Sequence, residues 1–194
     1  MFLVIYMYTI TKDVQSELII NKSRFITFIY RVKSVSEINQ ILSNLKNNYK
    51  DATHYCYAYV INNIKKASDD GEPSHTAGRP MLNVLENKKI NNVLAVVIRY
   101  FGGIKLGAGG LVRAYTNAVS SALKSASLTP VINELKIRIE FRYEDINKVN
   151  YLLRNYKITY KEFSQNVIYE FIYEEGKYPD GIEKNLIKKE VINK

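Results

Sequence analysis

Two short segments of the sequence concentrate the residue types that can do chemistry, and the first of them is acidic. Residues 68–80 hold three carboxylates within four positions, at Asp69, Asp70 and Glu72, together with two glycines and two prolines. Because glycine and proline interrupt helices and strands, the segment is predicted to be a loop. Clustered carboxylate oxygens can hold a hard divalent cation. With His54 they would form a site for metal-assisted hydrolysis.

A purely structural role for these acidic residues is the alternative. Their spacing lacks the alternating ligands and the terminal glutamate of an EF-hand loop. In this interpretation an aspartate caps a turn and Gly71 adopts a positive φ. Glu72 then pairs with an arginine such as Arg79 or Arg99. We favour the structural role, and we predict neither a catalytic residue nor a metal ligand in this loop.

The second segment, residues 99–115, is rich in glycine and basic. It carries five of the chain's nine glycines, all between positions 102 and 110. They lie between a predicted buried strand and a predicted helix, where unpaired backbone amides can bind an anion. Alternatively, the glycines only permit tight packing of the strand against the helix. The predicted anion- or nucleic-acid-binding residues are Arg99, Gly102, Gly103, Lys105, Gly107, Gly109, Gly110 and Arg113.

The glycine segment matches neither nucleotide-binding fingerprint. A P-loop requires lysine and serine or threonine after its second glycine, but Ala108 and Gly109 follow Gly107. A dinucleotide fingerprint that began at Gly107 would need glycine or alanine where Val112 stands. We therefore expect no nucleotide cofactor, and we predict no other cofactor. Cys56 alternates with tyrosines and is expected in the core, and no nucleophile motif indicates a catalytic triad.

The chain is basic, and its charge is unevenly distributed. The net charge is +9: residues 1–130 contain 16 Lys/Arg against 8 Asp/Glu, whereas residues 131–194 contain 12 against 11. A basic first domain attracts polyanions such as RNA. A single cysteine is typical of a reducing compartment, and no apolar stretch approaches the roughly 20 residues that cross a bilayer. A cytoplasmic location without a membrane partner is therefore expected.

Residue patterns predict both helices and strands in the first 130 residues. Ser34 and Glu37 have the spacing of a capping box ahead of a helix. Residues 111–126 have the broad apolar face of a buried helix. Strands, recognised by β-branched and aromatic residues, are predicted at Phe2–Ile10, Glu17–Ile20, Arg24–Val32, His54–Ile61 and Val93–Tyr100.

A domain boundary is predicted near Leu128–Pro130, because Pro130 resists continuation of the preceding helix. We assign residues 1–130 to the first domain and residues 131–194 to the second. In the second, strands are predicted at 135–143, 157–163 and 167–173, and helices at 144–155 and from Pro179. This βαββα order indicates a small ferredoxin-like domain. The last strand of that fold is either absent or supplied by Ile187–Ile192.

The two chemically distinctive segments together resemble the YigZ/IMPACT family. The likeness covers residues 15–130 and is much weaker beyond about residue 135. The family usually has glycine where His75 stands, so a positive φ at this position would imply local strain. The matching residues are His54, Ala58–Tyr59, Ser68–Pro73, Thr76–Gly78, Pro80, Arg99–Gly103, Lys105–Gly107, Gly109–Leu111 and Arg113–Tyr115.

The resemblance implies an α+β fold and a role in translation. Its N-terminal domain would be similar to domain IV of elongation factor G, and its C-terminal domain to the later, ferredoxin-like domains of that factor. The family carries no firmly assigned catalytic activity, and its eukaryotic members belong to a translation-stress regulator that acts through protein partners. We predict a non-enzymatic RNA- or ribosome-binding accessory or regulator of translation. The alternatives are a protein-interaction regulator of the translation stress response and a metal-assisted hydrolase that uses His54, Asp69, Asp70 and Glu72.

Overall fold

The computed structural model describes residues 7–62, 64–131 and 134–192. Within these ranges the chain divides into two compact units, the first ending at Val131 and the second comprising residues 134–192. No helix in the described ranges is long and apolar enough to cross a membrane.

A five-stranded antiparallel sheet organises the first unit. Its strand order is β2-β3-β6-β4-β5. A separate antiparallel pair joins the short strands β1 and β7. The strands are β1 Tyr8–Ile10, β2 Val14–Ile20, β3 Ser23–Arg31, β4 His54–Ile61, β5 Ile64–Ser68, β6 Val93–Tyr100 and β7 Leu128–Pro130.

Three helices cover the two faces of this sheet. Helices α2 (Gly78–Asn87) and α3 (Gly107–Ser125) pack on one face, and α1 (Val35–Asn48) packs on the other. Successive residues of the central strand β6 alternate between the two cores: Val93, Ala95 and Val97 join the first, and Leu94, Val96 and Ile98 join the second. A strand that is buried on both faces needs apolar residues at successive positions, which explains why residues 93–98 of β6 are continuously apolar.

The predicted elements of the first unit are present, with three additions. The predicted first strand, Phe2–Ile10, lies partly outside the described residues, and its described part forms β1. Ser34 caps α1 by accepting a hydrogen bond from the Glu37 amide at 3.2 Å, while the Glu37 carboxylate accepts from the Lys33 amide instead of the Ser34 amide. The additions are β5, β7 and α2. Helix α2 begins at Gly78 and contains Pro80, residues that favour a loop when the sequence is considered alone.

The second unit has a four-stranded antiparallel sheet of the ferredoxin-like type. Its strands are β8 (Glu134–Phe141), β9 (Lys157–Phe163), β10 (Val167–Glu174) and β11 (Leu186–Ile192). They lie in the order β11-β8-β10-β9, which is the 4-1-3-2 order of a βαββαβ unit. Helix α4 (Ile146–Leu152) follows the 3-10 turn Tyr143–Asp145 and packs on the core of this sheet.

The end of the chain resolves the question of the last strand. Strand β11 pairs with β8 and supplies the fourth strand of the sheet, so Ile187–Ile192 belongs to it. The helix predicted from Pro179 is shorter than expected: it is a 3-10 turn, Ile182–Asn185, with Ile182 buried against the core. Both units combine helices with antiparallel sheets, so the chain is an α+β protein.

Candidate functional site

Asp69 uses its carboxylate to fasten the acidic loop to the start of α2. Oδ1 accepts hydrogen bonds from the Ala77 and Gly78 amides at 2.9 and 2.8 Å, and Oδ2 accepts one from the His75 amide at 2.8 Å. Burial alone would raise the pKa of Asp69, but these three amide donors outweigh it and hold the pKa below its usual range. Asp69 therefore acts as the cap of α2 although it lies nine residues before the helix begins.

Asp70 fastens the same loop to the start of β4. Its Oδ2 accepts a hydrogen bond from the Tyr55 amide at 2.7 Å, and its Oδ1 lies 3.6 Å from Lys46 Nζ. Its carbonyl oxygen lies 2.9 Å from His54 Nδ1. Asp70 and the following Gly71 both have positive φ values, 41° and 87°. The loop thus turns sharply here, as the structural interpretation of the sequence expected.

Glu72 points into the protein and meets residues from three other elements. Its side chain is 3% exposed, and Oε1 accepts hydrogen bonds from Arg99 Nη1 at 2.6 Å and from the Tyr115 hydroxyl at 2.7 Å. His54 Nε2 lies 3.9 Å from Oε2. The carboxylate therefore ties β6, α3 and β4 together. The sequence left its partner open between Arg79 and Arg99; the structure selects Arg99, whereas Arg79 lies 3.9 Å from Glu86.

Arg99 is buried, and this corrects its predicted place on an anion-binding surface. The residue is 4% exposed, and its guanidinium lies over the rings of Phe25 and Phe101, 5.4 and 5.5 Å from the two centroids. Besides Glu72, it reaches the Ser23 hydroxyl at 3.3 Å through Nη2. Its charge is already neutralised by a buried carboxylate, so it is not available to a phosphate in solution.

Cys56 and Tyr115 complete the buried cluster. Cys56 Sγ lies 3.0 Å from the Asp69 carbonyl oxygen and 3.3 Å from the Tyr115 hydroxyl. Burial raises the pKa of the Cys56 thiol to about 12, so it stays protonated and unreactive at neutral pH. Burial, with the neighbouring Cys56 thiol, also raises the pKa of Tyr115. The expected core position of Cys56 agrees with this environment.

The acidic residues do not converge on a common point. Asp69 faces the α2 amides, Asp70 faces the β4 backbone, and Glu72 faces Arg99 and Tyr115. Across residues 7–62, 64–131 and 134–192, no group of three or more His, Cys, Asp or Glu side chains is arranged to hold a metal ion. The arrangement supports a structural role for the loop rather than a hydrolytic site built on His54 and these carboxylates.

His75 stands where the family usually has glycine, and its φ is positive, at 64°. Histidine tolerates this region better than most residues other than glycine, asparagine and aspartate. The His75 amide donates to Asp69 Oδ2, so the strained residue belongs to the capping loop of α2.

The glycine segment is largely open to solvent between residues 101 and 109. Gly103, Lys105, Gly107, Ala108 and Gly109 are exposed. Two of these glycines, Gly103 and Gly107, have positive φ values of 81° and 70°, a conformation that favours glycine.

Gly102 is required for a different reason, which is close contact with the turn between β2 and β3. A Cβ at this position would lie 2.0 Å from the carbonyl carbon of Lys22. The Gly102 amide donates to the Ser23 hydroxyl at 3.2 Å, the same hydroxyl that Arg99 reaches. The Glu72–Arg99–Ser23–Gly102 connection thus links the acidic loop to the glycine segment.

The first turn of α3 presents backbone amides beside two free cations. The residue that precedes the helix, Leu106, does not cap it with its side chain, and the first turn contains no acidic residue. Arg113 Nη1 lies 3.6 Å from the place that a Cβ on Gly109 would occupy, so this guanidinium lies along the first turn. Lys105 and Arg113 are exposed and form no ion pair with any other described residue.

Lys22 extends this positive region. It is exposed, forms no ion pair within the described ranges, and lies in the turn that contacts Gly102. The chain contains no aspartate or glutamate between Glu86 and Glu134. We call Lys22, residues 101–110 and Arg113 the glycine-loop surface. It combines exposed amides, cations and apolar side chains. The amides and cations make it suitable for binding an anionic group.

Several residues of the site could not be identified from the sequence. Ser23 and Thr53 support the glycine segment through single hydroxyl groups, Ser23 at Gly102 and Thr53 at the Phe101 amide. Neither residue belongs to a local sequence pattern that would indicate this role. Tyr115 lies within the matched family pattern, but its hydrogen bond to Glu72 spans 43 positions and has no local signature.

Comparison with known proteins places these motifs in a family. The family model of the Impact N-terminal domain matches residues 21–123. The IMPACT family member YvyE of Bacillus subtilis is 42% identical over 176 residues, which cover 87% of this chain and 80% of YvyE. The IMPACT family member YigZ of Escherichia coli is 35% identical over 139 residues, covering 69% and 68% of the two chains.

A solved structure supports the same assignment over both units. The crystal structure of a hypothetical protein aligns with 90% of this chain and 88% of its own, at a TM-score of 0.65 and 30% sequence identity. The matched residues 21–123 contain the acidic loop, the glycine segment and the buried Glu72–Arg99 pair that joins them. The chain belongs to the IMPACT family.

Proposed function

We propose that this chain is a non-enzymatic RNA-binding protein that acts in translation, and that RNA phosphates bind at the glycine-loop surface. The proposal rests on one observation: backbone amides at the start of α3 lie in the same region as Lys105 and Arg113, two exposed cations that form no ion pair with any described residue. Amides at a helix N-terminus and nearby cations both favour a phosphate group. The setting in translation, with free RNA or the ribosome as partner, rests on the likeness to elongation factor G that the family resemblance implies.

The charge around the surface also favours a polyanion. The 47 residues between Glu86 and Glu134 contain six lysines and arginines and no carboxylate. Only Arg99 among those six is neutralised by a buried partner. A continuous region without negative charge attracts RNA by neutralising phosphates and releasing their counterions. Such binding is largely independent of base sequence.

The test is the salt dependence of RNA affinity in the full chain. Replacing Lys105 and Arg113 together by glutamine should weaken the binding of every RNA sequence by a similar factor. The slope of log affinity against log salt should fall by about 0.7–0.9 for each lost phosphate contact, or about 1.5 in total. Fluorescence anisotropy with a labelled RNA at several salt concentrations measures both quantities.

The matched control is the double variant Lys33→Gln and Lys66→Gln. Both lysines are exposed, lie in the first unit and form no ion pair with described residues. Both lysines lie near the start of β6: Lys33 follows the end of β3 that pairs with Val93, and Lys66 is two strands away from Leu94 at the same level of the sheet. The glycine-loop surface lies beyond the other end of β6, after Tyr100. Six residues of strand separate these places by about 20 Å. Equal losses in the two double variants would show that only net charge matters, and a wild-type chain that binds no RNA at low salt would refute the proposal.

A protein partner is the second candidate, and the apolar part of the same surface favours it. Ile104 is 43% exposed, and Val112, next to Arg113 on α3, is 37% exposed. Exposed aliphatic side chains beside cations can also contact a protein. A specific protein that remains bound after nuclease treatment, and is lost on replacing Ile104 by serine, would favour this candidate.

A further inference from the structure

An aromatic ring stands half-exposed where β6 leads into the glycine segment. Phe101 directly follows this buried strand, yet its side chain is 47% exposed. Burying a phenylalanine ordinarily stabilises a fold. At Phe101 part of that stabilisation is missing, and this residue belongs to the proposed RNA-binding surface.

The position of Phe101 is determined by contacts on both its backbone and its ring. Its amide donates to the Thr53 hydroxyl at 3.1 Å, and the next amide, that of Gly102, donates to Ser23 at 3.2 Å. The Arg99 guanidinium lies over the ring at 5.5 Å and is itself held by Glu72 at 2.6 Å. The ring is therefore ordered before any partner binds, so that little conformational freedom is lost on binding.

The surroundings of the ring are complementary to nucleic acid. Lys22 lies in the turn against Gly102, and Lys105 lies four residues after Phe101. An exposed aromatic ring beside unpaired cations is the combination by which proteins hold single-stranded nucleic acid: the ring stacks on a base and the cations contact the phosphates.

We infer that Phe101 is a stacking platform for an unpaired base, so that the glycine-loop surface binds single-stranded RNA in preference to duplex RNA. The inference rests on the proposed function. Bases inside a duplex are covered on both faces by their neighbours, and only an unpaired base can stack on a protein side chain. Cations alone would bind both forms of RNA.

The experiment compares two labelled probes on the full chain, a short oligouridylate and an RNA duplex of the same length. Replacing Phe101 by alanine should lower affinity for the single strand by about 10-fold, within a range of about 5- to 100-fold. Affinity for the duplex should change by less than about 2-fold, because phosphate contacts remain. An oligonucleotide that carries 2-aminopurine should lose fluorescence on binding to the wild type, and the loss should be absent in the variant.

Three further variants separate stacking from folding and from general hydrophobicity. Phe101→Tyr keeps an aromatic ring and should retain single-strand affinity. Phe101→Leu keeps apolar packing on Arg99 and should fold normally, but it should bind the single strand as weakly as the alanine variant. Phe163→Ala removes a phenylalanine that is 57% exposed in the second unit, and it should leave affinity unchanged.

The outcomes distinguish this inference from the proposed function. Equal wild-type affinity for single strand and duplex, with no loss in Phe101→Leu, would overturn the stacking role and leave phosphate binding intact. Absence of binding to both probes at low salt would overturn both. Unchanged RNA affinity in Phe101→Leu, together with loss of a nuclease-resistant protein complex, would overturn the inference in favour of a protein contact.

Discussion

At the scale of single residues, the Glu72–Arg99 pair decides how the two family motifs should be interpreted. Both side chains are at most 5% exposed, and their hydrogen bond joins positions that lie 27 residues apart. A buried charge is tolerated only when it is paired, because the low-dielectric interior cannot replace the water that it loses. The acidic loop and the glycine segment thus meet in one mutually neutralised pair of charges. The residue types of Glu72 and Arg99 suggest chemistry, but the geometry of this pair is that of a structural support.

Replacing Glu72 by glutamine should therefore destabilise the protein strongly. The amide can still accept hydrogen bonds from Arg99 and Tyr115, but the buried arginine charge loses its counter-charge. Removal of one partner of a buried ion pair costs about 3–5 kcal/mol. Urea unfolding followed by circular dichroism measures the loss in the free energy of unfolding.

Glu17→Gln is the matched control for that experiment. Glu17 pairs with Arg24 through two hydrogen bonds of 2.8 Å, a geometry as good as that of the buried pair, but both side chains are exposed. Solvent screens such pairs, so this variant should unfold at nearly the same urea concentration as the wild type. Similar losses for the two variants would show that burial of the Glu72 pair is not what matters.

At the scale of elements, the acidic loop sets where α2 begins. The residue immediately before α2 is Ala77, whose side chain does not cap the helix. The Asp69 carboxylate takes that place from a distance by accepting the His75, Ala77 and Gly78 amides. A negative charge at a helix N-terminus is also favoured by the helix dipole. This arrangement explains how a helix can begin at a Gly-Arg-Pro sequence.

Asp69→Asn should lower the free energy of unfolding by about 1–2 kcal/mol at neutral pH, because the amide NH2 group cannot accept the His75 hydrogen bond that Oδ2 accepts and the amide carries no charge. The pKa of Asp69 is lower in the folded protein than in the unfolded chain, where it is about 3.9. The carboxylate therefore contributes fully above that value, and its contribution is lost as the pH falls through the folded-state pKa. The difference between variant and wild type should shrink as the pH is lowered below about 4.

Urea unfolding at a series of pH values measures this difference, with Asp51→Asn as the control. Asp51 is exposed and follows α1, and its carboxylate forms no ion pair with any residue in the described ranges. Its replacement should have little effect at any pH. A difference between Asp69→Asn and wild type that stays constant down to low pH would contradict the capping role of the ionised carboxylate.

At the scale of the whole molecule, charge separates the two units. Residues 1–130 carry a net charge of +8 and residues 131–194 of +1. In the second unit the sheet neutralises its own charges: buried Glu170 pairs with Lys136 and Arg138, each at 2.5 Å. The hydrogen bonds from Lys136 and Arg138 hold the pKa of Glu170 below its usual range. The unpaired cations of the glycine-loop surface all belong to the first unit.

We therefore expect the RNA affinity of the chain to reside in its first unit. A fragment of residues 1–131 should keep the affinity of the full chain to within about 3-fold at the same salt concentration, since phosphate contacts dominate affinity. A fragment of residues 132–194 should bind at least an order of magnitude more weakly, because its net charge is close to zero. Circular dichroism establishes that each fragment is folded, and anisotropy measures the affinities. A folded first fragment that does not bind would contradict the expectation.

Local patterns in the sequence were sufficient to determine many features of this protein. Alternation of apolar and polar residues, the Ser34–Glu37 spacing and the order of elements after Pro130 predict most strands, the start of α1 and a ferredoxin-like second domain. These features depend on residues close together in the chain, whose periodicity follows directly from helix and strand geometry. The two motifs also sufficed to predict the family, which the comparisons confirm.

Only the tertiary structure decided which motif residues face inward and which face outward. Arg99 and Arg113 look alike in the sequence, but the first lies on a strand that is covered on both faces and the second lies on the exposed side of α3. The choice of Arg99 as the partner of Glu72, and of Lys22 and Ser23 as the neighbours of Gly102, depends on which strands become neighbours in the sheet. Such contacts join positions 27 to 80 residues apart, and no local periodicity encodes them.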